Sequence, residues 1–243
     1  MIGSKSLFGD GFSAQAGTGR SALPRLRDIM NGLTLPAFYP VLDTTLAARR
    51  GMTALDAAEA ILEGGARILQ LRHKGFFGRD VFQAAERIVR MCEEGGAMFV
   101  MNDRADMARL LGAGLHLGQD DLTPADARKV VGSGVVIGFS THNESQLRAA
   151  PAEPVDYVAL GPVFTTGSKA NPDPVLGVEE LRRLRPISNR SLVAIGGITR
   201  ATAQQVLAAG ADSVAVIGDL FPETGAREGL RARTEEWLRL LSK

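Results

Sequence analysis

Residues 63–72 read EGGARILQLR, in which a helix end, a glycine pair and a buried strand follow one another directly. The same joint recurs at residues 94–97, 112–114 and 208–211, where glycine again separates a helical pattern from an apolar run. Glycine adopts the left-handed conformation that ends a helix and turns the chain into the next strand. Repeated joints of this kind indicate parallel strands connected by crossover helices.

Eight apolar runs rich in Val, Ile, Leu and Met follow this pattern. The predicted strands are Phe38–Asp43, Arg67–Arg72, Met98–Asp103, Leu115–Gly118, Val135–Ser140, Asp156–Gly161, Leu192–Gly196 and Ser213–Gly218. No change of element type marks a second domain, so the pattern favours an α/β fold, a (β/α)8 TIM barrel in a single domain. A doubly wound open sheet is the alternative.

The chain divides into two compositional zones. Residues 1–36 are rich in Gly, Ser and Ala without sustained periodicity, which predicts an N-terminal extension, flexible or partly helical. Residues 37–243 form the predicted barrel. Its first helix has the T-x-x-D capping signal of Thr53 and Asp56, an apolar face that includes Leu55 and Leu62, and Gly64 at its end.

The composition excludes several classes of function. Lys plus Arg number 28 against 27 for Asp plus Glu, a net charge of +1, so no charge field is available to hold nucleic acid or an anionic membrane. No apolar run reaches the roughly 18 residues of a membrane span. Cys92 is the single cysteine and has no internal disulfide partner. We therefore expect no nucleic-acid or membrane partner and a reducing, cytoplasmic setting.

Three polar residues end the second predicted strand. Gln70, Arg72 and Lys74 alternate along the chain, so they lie on one side and point toward the barrel mouth. An amide, a guanidinium and an ammonium on one face predict a binding group for phosphate or pyrophosphate. The alternative is a solvated strand end with two basic residues.

Carboxylates follow the third and fourth predicted strands. Asp103 and Asp121 lie at the same end of the predicted barrel, opposite the basic group, as Mg²⁺ requires when it bridges protein and substrate phosphates. Alternatively, Asp121 begins a helix and Asp103 pairs with Arg104 or Arg72. For Asp120 we favour a structural role.

A long hydroxyl-rich segment, residues 161–174, follows the sixth predicted strand, and segments of this length are usually functional or disordered. Thr166, Ser168 and Lys169 are placed to close over a phosphate. The pair Gly196-Gly197 ends the seventh strand, where backbone N–H groups approach anions closely. The loops after strands seven and eight are the usual phosphate site of a TIM barrel.

The histidines form no catalytic triad by order or spacing. His116 lies inside a predicted strand, which favours a packed core residue over a ligand, and His142 lies at the predicted active face. Phe76 and Phe77 are candidates for a pocket cover or a subunit contact, so the sequence leaves a homodimer open.

In this order and placement, the motifs resemble the thiamine phosphate synthase family of (β/α)8 barrels over about residues 38–221. The motifs that carry the resemblance are QLR-x-K at 70–74, NDR at 102–104, HLGQDD at 116–121, GFSTH at 138–142, GPVF at 161–164, T-x-SK at 166–169 and AIGGI at 194–198. The resemblance implies a transferase that joins 4-amino-2-methyl-5-hydroxymethylpyrimidine diphosphate to 4-methyl-5-(2-phosphoethyl)thiazole. The products are thiamine phosphate and pyrophosphate, the cofactor is Mg²⁺, and the partners are these small molecules.

The resemblance also implies roles for individual residues. The diphosphate is bound by Gln70, Arg72 and Lys74, the pyrimidine by Asn102, and the metal by Asp103 and Asp121. Ser140 and Lys169 meet the diphosphate or the pyrimidine, with Thr166 and Ser168 near the thiazole phosphate. The backbone of Gly197, Ile217 and Gly218 holds that phosphate. Of these, the chemistry depends chiefly on Arg72, Lys74, Ser140 and Lys169.

One departure from the family pattern follows the eighth predicted strand. Ile217-Gly218-Asp219 stands where the family usually has a Ser-Ala pair, which removes a hydroxyl and places a carboxylate beside an expected phosphate. We expect weaker thiazole phosphate binding unless backbone amides do most of the holding.

Three other functions compete with this interpretation. A thiazole tautomerase of the same superfamily is the nearest, but the retention of Asp103, Gln119 and Asp121 argues against it. The second is a barrel that binds a phosphate ligand without catalysis. The third, a sugar-phosphate isomerase, requires an acid/base pair at the mouth but no diphosphate site.

Overall fold

The computed structural model describes residues 34–167, 173–223 and 226–242, and within them eight parallel strands form one closed barrel in chain order. The strands are β1 Phe38–Asp43, β2 Ile68–Arg72, β3 Met98–Asn102, β4 Gly114–Leu117, β5 Ile137–Thr141, β6 Tyr157–Leu160, β7 Ser191–Ile195 and β8 Ser213–Val216. Pairing of Phe38 with Val214 joins β1 to β8 and closes the ring. The predicted TIM barrel is confirmed, and the open sheet is wrong, because an open sheet leaves its end strands unpaired.

Helices connect the strands on the outside of the barrel. In the described part of the chain they are α1 Thr44–Arg49, α2 Ala54–Glu63, α3 Arg79–Glu94, α4 Ala105–Leu111, α5 Pro124–Val131, α6 Glu144–Ala149, α7 Gly177–Leu184, α8 Ala203–Ala208 and α9 Arg227–Leu241. Short 3-10 turns lie at Ala150–Ala152, Arg185–Ile187 and Gly218–Leu220. No helix among these residues is both long and apolar enough to span a bilayer.

Helix α2 shows how local sequence sets these elements. Thr53 and Asp56 form the predicted capping box, in which the Thr53 hydroxyl accepts from the Asp56 N–H at 3.1 Å. The predicted apolar face is confirmed in part, since small residues such as Ala58 are fully buried whereas Leu55 and Leu62 are only partly buried. The small residues let α2 pack closely on the sheet and on α9.

The four predicted helix-to-strand joints are present. Each contains one glycine in the left-handed region, with φ of 98° at Gly65, 64° at Gly96, 66° at Gly112 and 104° at Gly210. A side chain at such a position strains the backbone, which explains why glycine recurs there.

Two apolar layers stabilise the barrel. The inner layer fills the barrel and includes Tyr39, Ile68, Val100 and Tyr157. The outer layer lies between strands and helices, where Trp237 of α9 stacks on Phe38 of β1 with ring centroids 5.5 Å apart. With its interior packed, the barrel leaves only its ends for ligands.

The strand bounds agree with the predicted ones to within two residues. The main difference is α1, which the sequence analysis did not predict. It begins directly after β1 because the Asp43 carboxylate accepts from the Leu46 N–H at 2.9 Å and caps the helix. Leu35, assigned to the extension by the predicted boundary, packs in the inner layer. Residues 1–33 lie outside the described residues, so the extension stays a prediction.

Candidate active site

Buried polar side chains concentrate at the mouth formed by the carboxyl ends of the strands. Asp43, Gln70, Asn102 and His116 come from β1, β2, β3 and β4 and are each less than a tenth exposed. The period of two along each strand turns these side chains away from the surrounding helices. The prediction that polar residues gather at this end of the barrel is confirmed.

The basic residues that end β2 are each held by a carboxylate from a neighbouring strand or its loop. Arg72 donates to the Asp43 carboxylate, and Lys74 Nζ donates to Asp103 Oδ2 at 2.5 Å. The alternative pairing of Asp103 with Arg104 is not observed, because Arg104 donates to Asp106. Positive charge is therefore fixed in place on one side of the mouth.

Asp103 and Asp121 form a pair of carboxylates beside Lys74. Asp103 has a φ of 65°, which is unusual for a residue other than glycine, and Asp121 Oδ2 accepts from the Gly118 N–H at 2.7 Å. Burial raises the pKa of the Asp121 carboxyl above its ordinary range, and the adjacent Asp103 raises this pKa further. Two acids held this close repel each other unless a cation or a proton lies between them.

This donor set fits a magnesium ion. Mg²⁺ takes hard oxygen ligands and usually few protein carboxylates, keeping its other positions for water and substrate phosphate. Asp103 and Asp121 supply such a pair. No group of three or more His, Cys, Asp or Glu suited to a metal is found in residues 34–167, 173–223 and 226–242.

Asn102, at the end of β3, has an unsatisfied polar atom. Its side chain is buried, and Nδ2 has no hydrogen-bond partner within the described part of the chain. Buried amides are nearly always paired, so an unpaired donor at the mouth points to a ligand.

A hydrogen-bonded chain crosses the barrel interior below the mouth. Gln70 Nε2 donates to Tyr39 Oη at 3.0 Å, and Tyr39 Oη lies 2.8 Å from Tyr157 Oη. Tyr157 Oη lies 3.0 Å from His116 Nδ1, and His116 Nε2 lies 2.9 Å from Ser140 Oγ. The chain therefore joins Gln70 of β2 to Ser140 of β5. His116 is buried, as predicted, and it also connects the two candidate substrate residues.

Glycines shape the opposite side of the mouth. The segment after β6 lies on the end of β7, where Val163 N donates to Ile195 O and Phe164 N donates to Gly196 O, both at 2.9 Å. A Cβ on Gly197 would lie 2.4 Å from the Thr165 carbonyl oxygen, and the φ of Gly197 is 65°. Only glycine allows this contact without strain.

In the loop after β8, Asp219 is held by two arginines. Its Oδ2 accepts from Arg200 Nε at 3.0 Å, and its backbone carbonyl accepts from Arg233 at 2.8 Å. The carboxylate is thus neutralised by an arginine. Gly218 lines an open cleft of about 560 Å³, and a Cβ there would meet nothing within 4 Å.

The remaining candidates lie after β5 and β6. Thr166 lies in the described part of the loop, whereas Ser168 and Lys169 lie outside the described residues. His142 donates from Nδ1 to the Gly161 carbonyl oxygen at 2.6 Å. It therefore helps to hold the chain between β6 and the loop that follows it.

Sequence reasoning missed three polar residues, Asp43 at the mouth and Tyr39 and Tyr157 in the barrel interior below it. Asp43 ends its strand just as Arg72 and Asn102 do, so the rule used for the other strands could have found it. The tyrosines occupy inward positions, and only the register of all the strands shows that their hydroxyl groups meet.

The fold is a closed barrel, and cationic side chains, paired carboxylates and glycine loops lie at the carboxyl ends of its strands. These features define the class of protein as a (β/α)8 barrel with a polar ligand site at its mouth. Residues 38–220 match the model of the family described as thiamine monophosphate synthase. The chain belongs to this family.

Named relatives agree with this assignment. Thiamine-phosphate synthase of Koribacter versatilis is 42% identical over 214 residues, covering 87% of this chain and 98% of the relative. The enzyme of the same name from Methanoculleus marisnigri is 44% identical and covers 80% of this chain and 93% of the relative. The solved structure of thiamine phosphate pyrophosphorylase from Pyrococcus furiosus superposes with a TM-score of 0.73 at 30% identity, covering 84% of this chain and 94% of that one.

Proposed function

We propose that the protein is a thiamine phosphate synthase. It joins 4-amino-2-methyl-5-hydroxymethylpyrimidine diphosphate to 4-methyl-5-(2-phosphoethyl)thiazole and releases pyrophosphate. Family membership supports this function, as do relatives of that name that match over nearly their whole length. The single observation that carries it is the cluster of Lys74, Asp103 and Asp121 at the mouth, because a diphosphate leaving group needs cations around it.

The basic side of the mouth binds the diphosphate in this proposal. Arg72 offers a planar set of donors and Lys74 a mobile ammonium, while Asp43 and Asp103 hold both cations in position before substrate arrives. Asp103 and Asp121 would hold Mg²⁺ in this proposal. When bound, the ion supplies positive charge to the phosphate oxygens as the leaving group departs.

The reaction needs no protein nucleophile. The bond between the pyrimidine methylene carbon and the diphosphate oxygen breaks with its electron pair going to oxygen, and the electron-rich aminopyrimidine stabilises the cation left behind. The thiazole nitrogen then donates its lone pair to that carbon. Arg72 and Lys74 act most strongly as charge develops on the departing oxygen, so they stabilise the transition state more than the bound substrate.

The other residues position the two ring systems. The unpaired amide donor of Asn102 and the hydroxyl of Ser140 face the pyrimidine substrate in this proposal. Backbone N–H groups of Gly197, Ile217 and Gly218 hold the thiazole phosphate in this proposal, with Thr166 and Ser168 near it, while Lys169 meets the diphosphate or the pyrimidine. Pairing of Asp219 with Arg200 removes the charge expected to oppose that phosphate.

Two further parts of the proposal concern setting and assembly. We propose a cytoplasmic location, because the single cysteine, Cys92, led us to expect a reducing setting. Its side chain is buried. A homodimer is also proposed, with the ring of Phe76, 90% exposed, as the candidate contact.

The decisive experiment mixes purified protein with both substrates and Mg²⁺ and measures pyrophosphate release together with thiamine phosphate. We expect both products in equal amounts, and none when either substrate is omitted or when a chelator replaces Mg²⁺. Absence of pyrophosphate in the complete mixture would refute the function. Isomerisation of the thiazole alone would favour the tautomerase, and binding of both substrates without turnover would favour a binding barrel.

A further inference from the structure

The polar chain from Gln70 to Ser140 has a direction. The structure turns the Gln70 amide nitrogen toward Tyr39, and an amide nitrogen can only donate. Tyr39 Oη thus accepts from Gln70, which leaves its single hydroxyl hydrogen for Tyr157 Oη, 2.8 Å away. Tyr157 accepts that hydrogen bond and has its own hydrogen left for His116 Nδ1.

The direction fixes the chemical state of His116. With Nδ1 accepting from Tyr157, a neutral ring carries its hydrogen on Nε2, and this nitrogen is then the donor to Ser140 Oγ, 2.9 Å away. Ser140 then acts as acceptor toward His116, and its own hydrogen is left for an acceptor on a ligand. Ser140 is partly exposed at the carboxyl end of β5, so its hydroxyl can reach the mouth.

We propose that Tyr39, Tyr157 and His116 are positioning residues that form a one-way hydrogen-bond relay and make Ser140 a hydrogen-bond donor to the diphosphate-bearing substrate. The inference rests on the proposed function and deepens it. If the relay were reversed, every member would donate in the opposite direction. Ser140 would then donate its hydroxyl hydrogen to His116 Nε2 and not to a ligand. Through four hydrogen bonds of 2.8 to 3.0 Å, the orientation of one buried amide, Gln70, thus decides what Ser140 offers to a ligand.

The surroundings keep the relay intact. Tyr39 and Tyr157 are fully buried, and burial raises the pKa of Tyr39 to about 12 and that of Tyr157 well above its ordinary value. Both phenols therefore stay protonated and able to donate at neutral pH. Gly138 provides the space, since a Cβ there would lie 2.0 Å from Cζ of Tyr157. The stacking of Tyr157 on His116, with ring centroids 5.6 Å apart, adds to the fixed geometry.

The first test measures the tautomer of His116 in the wild-type protein without substrates. The sequence has three histidines, so nitrogen-15 NMR of histidine-labelled protein resolves each ring, with the His116→Gln variant identifying the signal. We expect a neutral ring protonated on Nε2. A ring protonated on Nδ1, or on both nitrogens at neutral pH, would overturn the relay whether or not the protein makes thiamine phosphate.

The second test reverses the relay at its start. Gln70→Glu replaces the amide donor with an acceptor of the same shape, so Tyr39 must donate to it. We expect the His116 proton to move from Nε2 to Nδ1 in the NMR spectrum. An unchanged tautomer would show that Gln70 does not set the direction.

The third test breaks the relay in its middle. Tyr157→Phe removes one hydroxyl, and we expect kcat/KM for the pyrimidine diphosphate to fall about tenfold with little change in KM for the thiazole phosphate. Thr234→Val is the matched control, because it removes a buried hydroxyl that bonds to Leu230 within α9. Equal loss in both variants, or loss shared by both substrates, would contradict the proposal. His116→Gln, which keeps a side-chain donor, should retain more activity than His116→Leu.

Discussion

The two sides of the barrel mouth are built in different ways. On the side of β1 to β4, charged side chains hold one another, as in the pairs Arg72 with Asp43 and Lys74 with Asp103. On the side of β6 to β8, glycines bring backbone segments together, as where Gly197 touches Thr165. The first side depends on charge and the second on the absence of side chains, so the two sides should fail differently when mutated.

The largest effect is expected on the charged side. Lys74→Ala or Asp103→Ala should lower kcat by about 10²- to 10³-fold, the usual loss when one preorganised charge is removed from the leaving group. KM for the thiazole phosphate should change much less, since neither residue faces it in the proposed site. Steady-state kinetics with each substrate varied in turn provides the measurement.

Lys129→Ala is the matched control for this prediction. Lys129 pairs with Asp126 at 2.7 Å on the exposed surface of α5, much as Lys74 pairs with Asp103. It should leave turnover and affinity unchanged. Wild-type turnover in both Lys74→Ala and Asp103→Ala would refute the assignment of the charged side.

The glycine side should respond in stability and in thiazole phosphate affinity. Gly197→Ala places a methyl group 2.4 Å from the Thr165 carbonyl at a φ of 65°. Strain and overpacking together should cost roughly 2–4 kcal/mol, which lowers Tm by about 5–15 °C, and should raise KM for the thiazole phosphate.

Gly218→Ala tests the same idea with the opposite expectation for stability. A Cβ at this position meets nothing within 4 Å, so Tm should change by no more than about 2 °C. If both variants lose the same stability in a thermal scan, the close contact at Gly197 is not what requires glycine.

The smallest effect is expected at the charged pair on the glycine side of the mouth, Arg200 and Asp219. Arg200→Ala leaves the Asp219 carboxylate without its guanidinium partner near the proposed phosphate site, which should raise KM for the thiazole phosphate by about fivefold. The double variant Arg200→Ala with Asp219→Ser should return KM to within about twofold of the wild type. If the double variant has a KM for the thiazole phosphate as high as that of Arg200→Ala, then Arg200 acts through another contact, such as Glu236.

Sequence patterns were sufficient for the fold. Helix-to-strand joints such as residues 63–72 combine a glycine turn with an apolar run, and both signals depend only on neighbouring residues. The alternation of Gln70, Arg72 and Lys74 is equally local. For this reason the strand order, the closed barrel and the basic end of β2 were all predicted.

The contacts across the barrel were not predictable in the same way. Tyr39 and Tyr157 are 118 residues apart, and their hydroxyl groups meet only because eight strand registers add up around the ring. The Arg200–Asp219 pair likewise joins two loops, so the sequence presented Asp219 as an isolated charge. Local patterns locate such residues at the mouth, but the register decides their partners.

The closure of the barrel by β1 and β8 has a consequence for synthesis. Phe38 pairs with Val214 and stacks on Trp237, so the first strand meets its last partners only after roughly 200 further residues have been made. At about 5–20 residues per second, a ribosome needs ~10–40 s to deliver them. Throughout that interval β1 has an unpaired edge, and the nascent chain is most vulnerable to aggregation before α9 emerges.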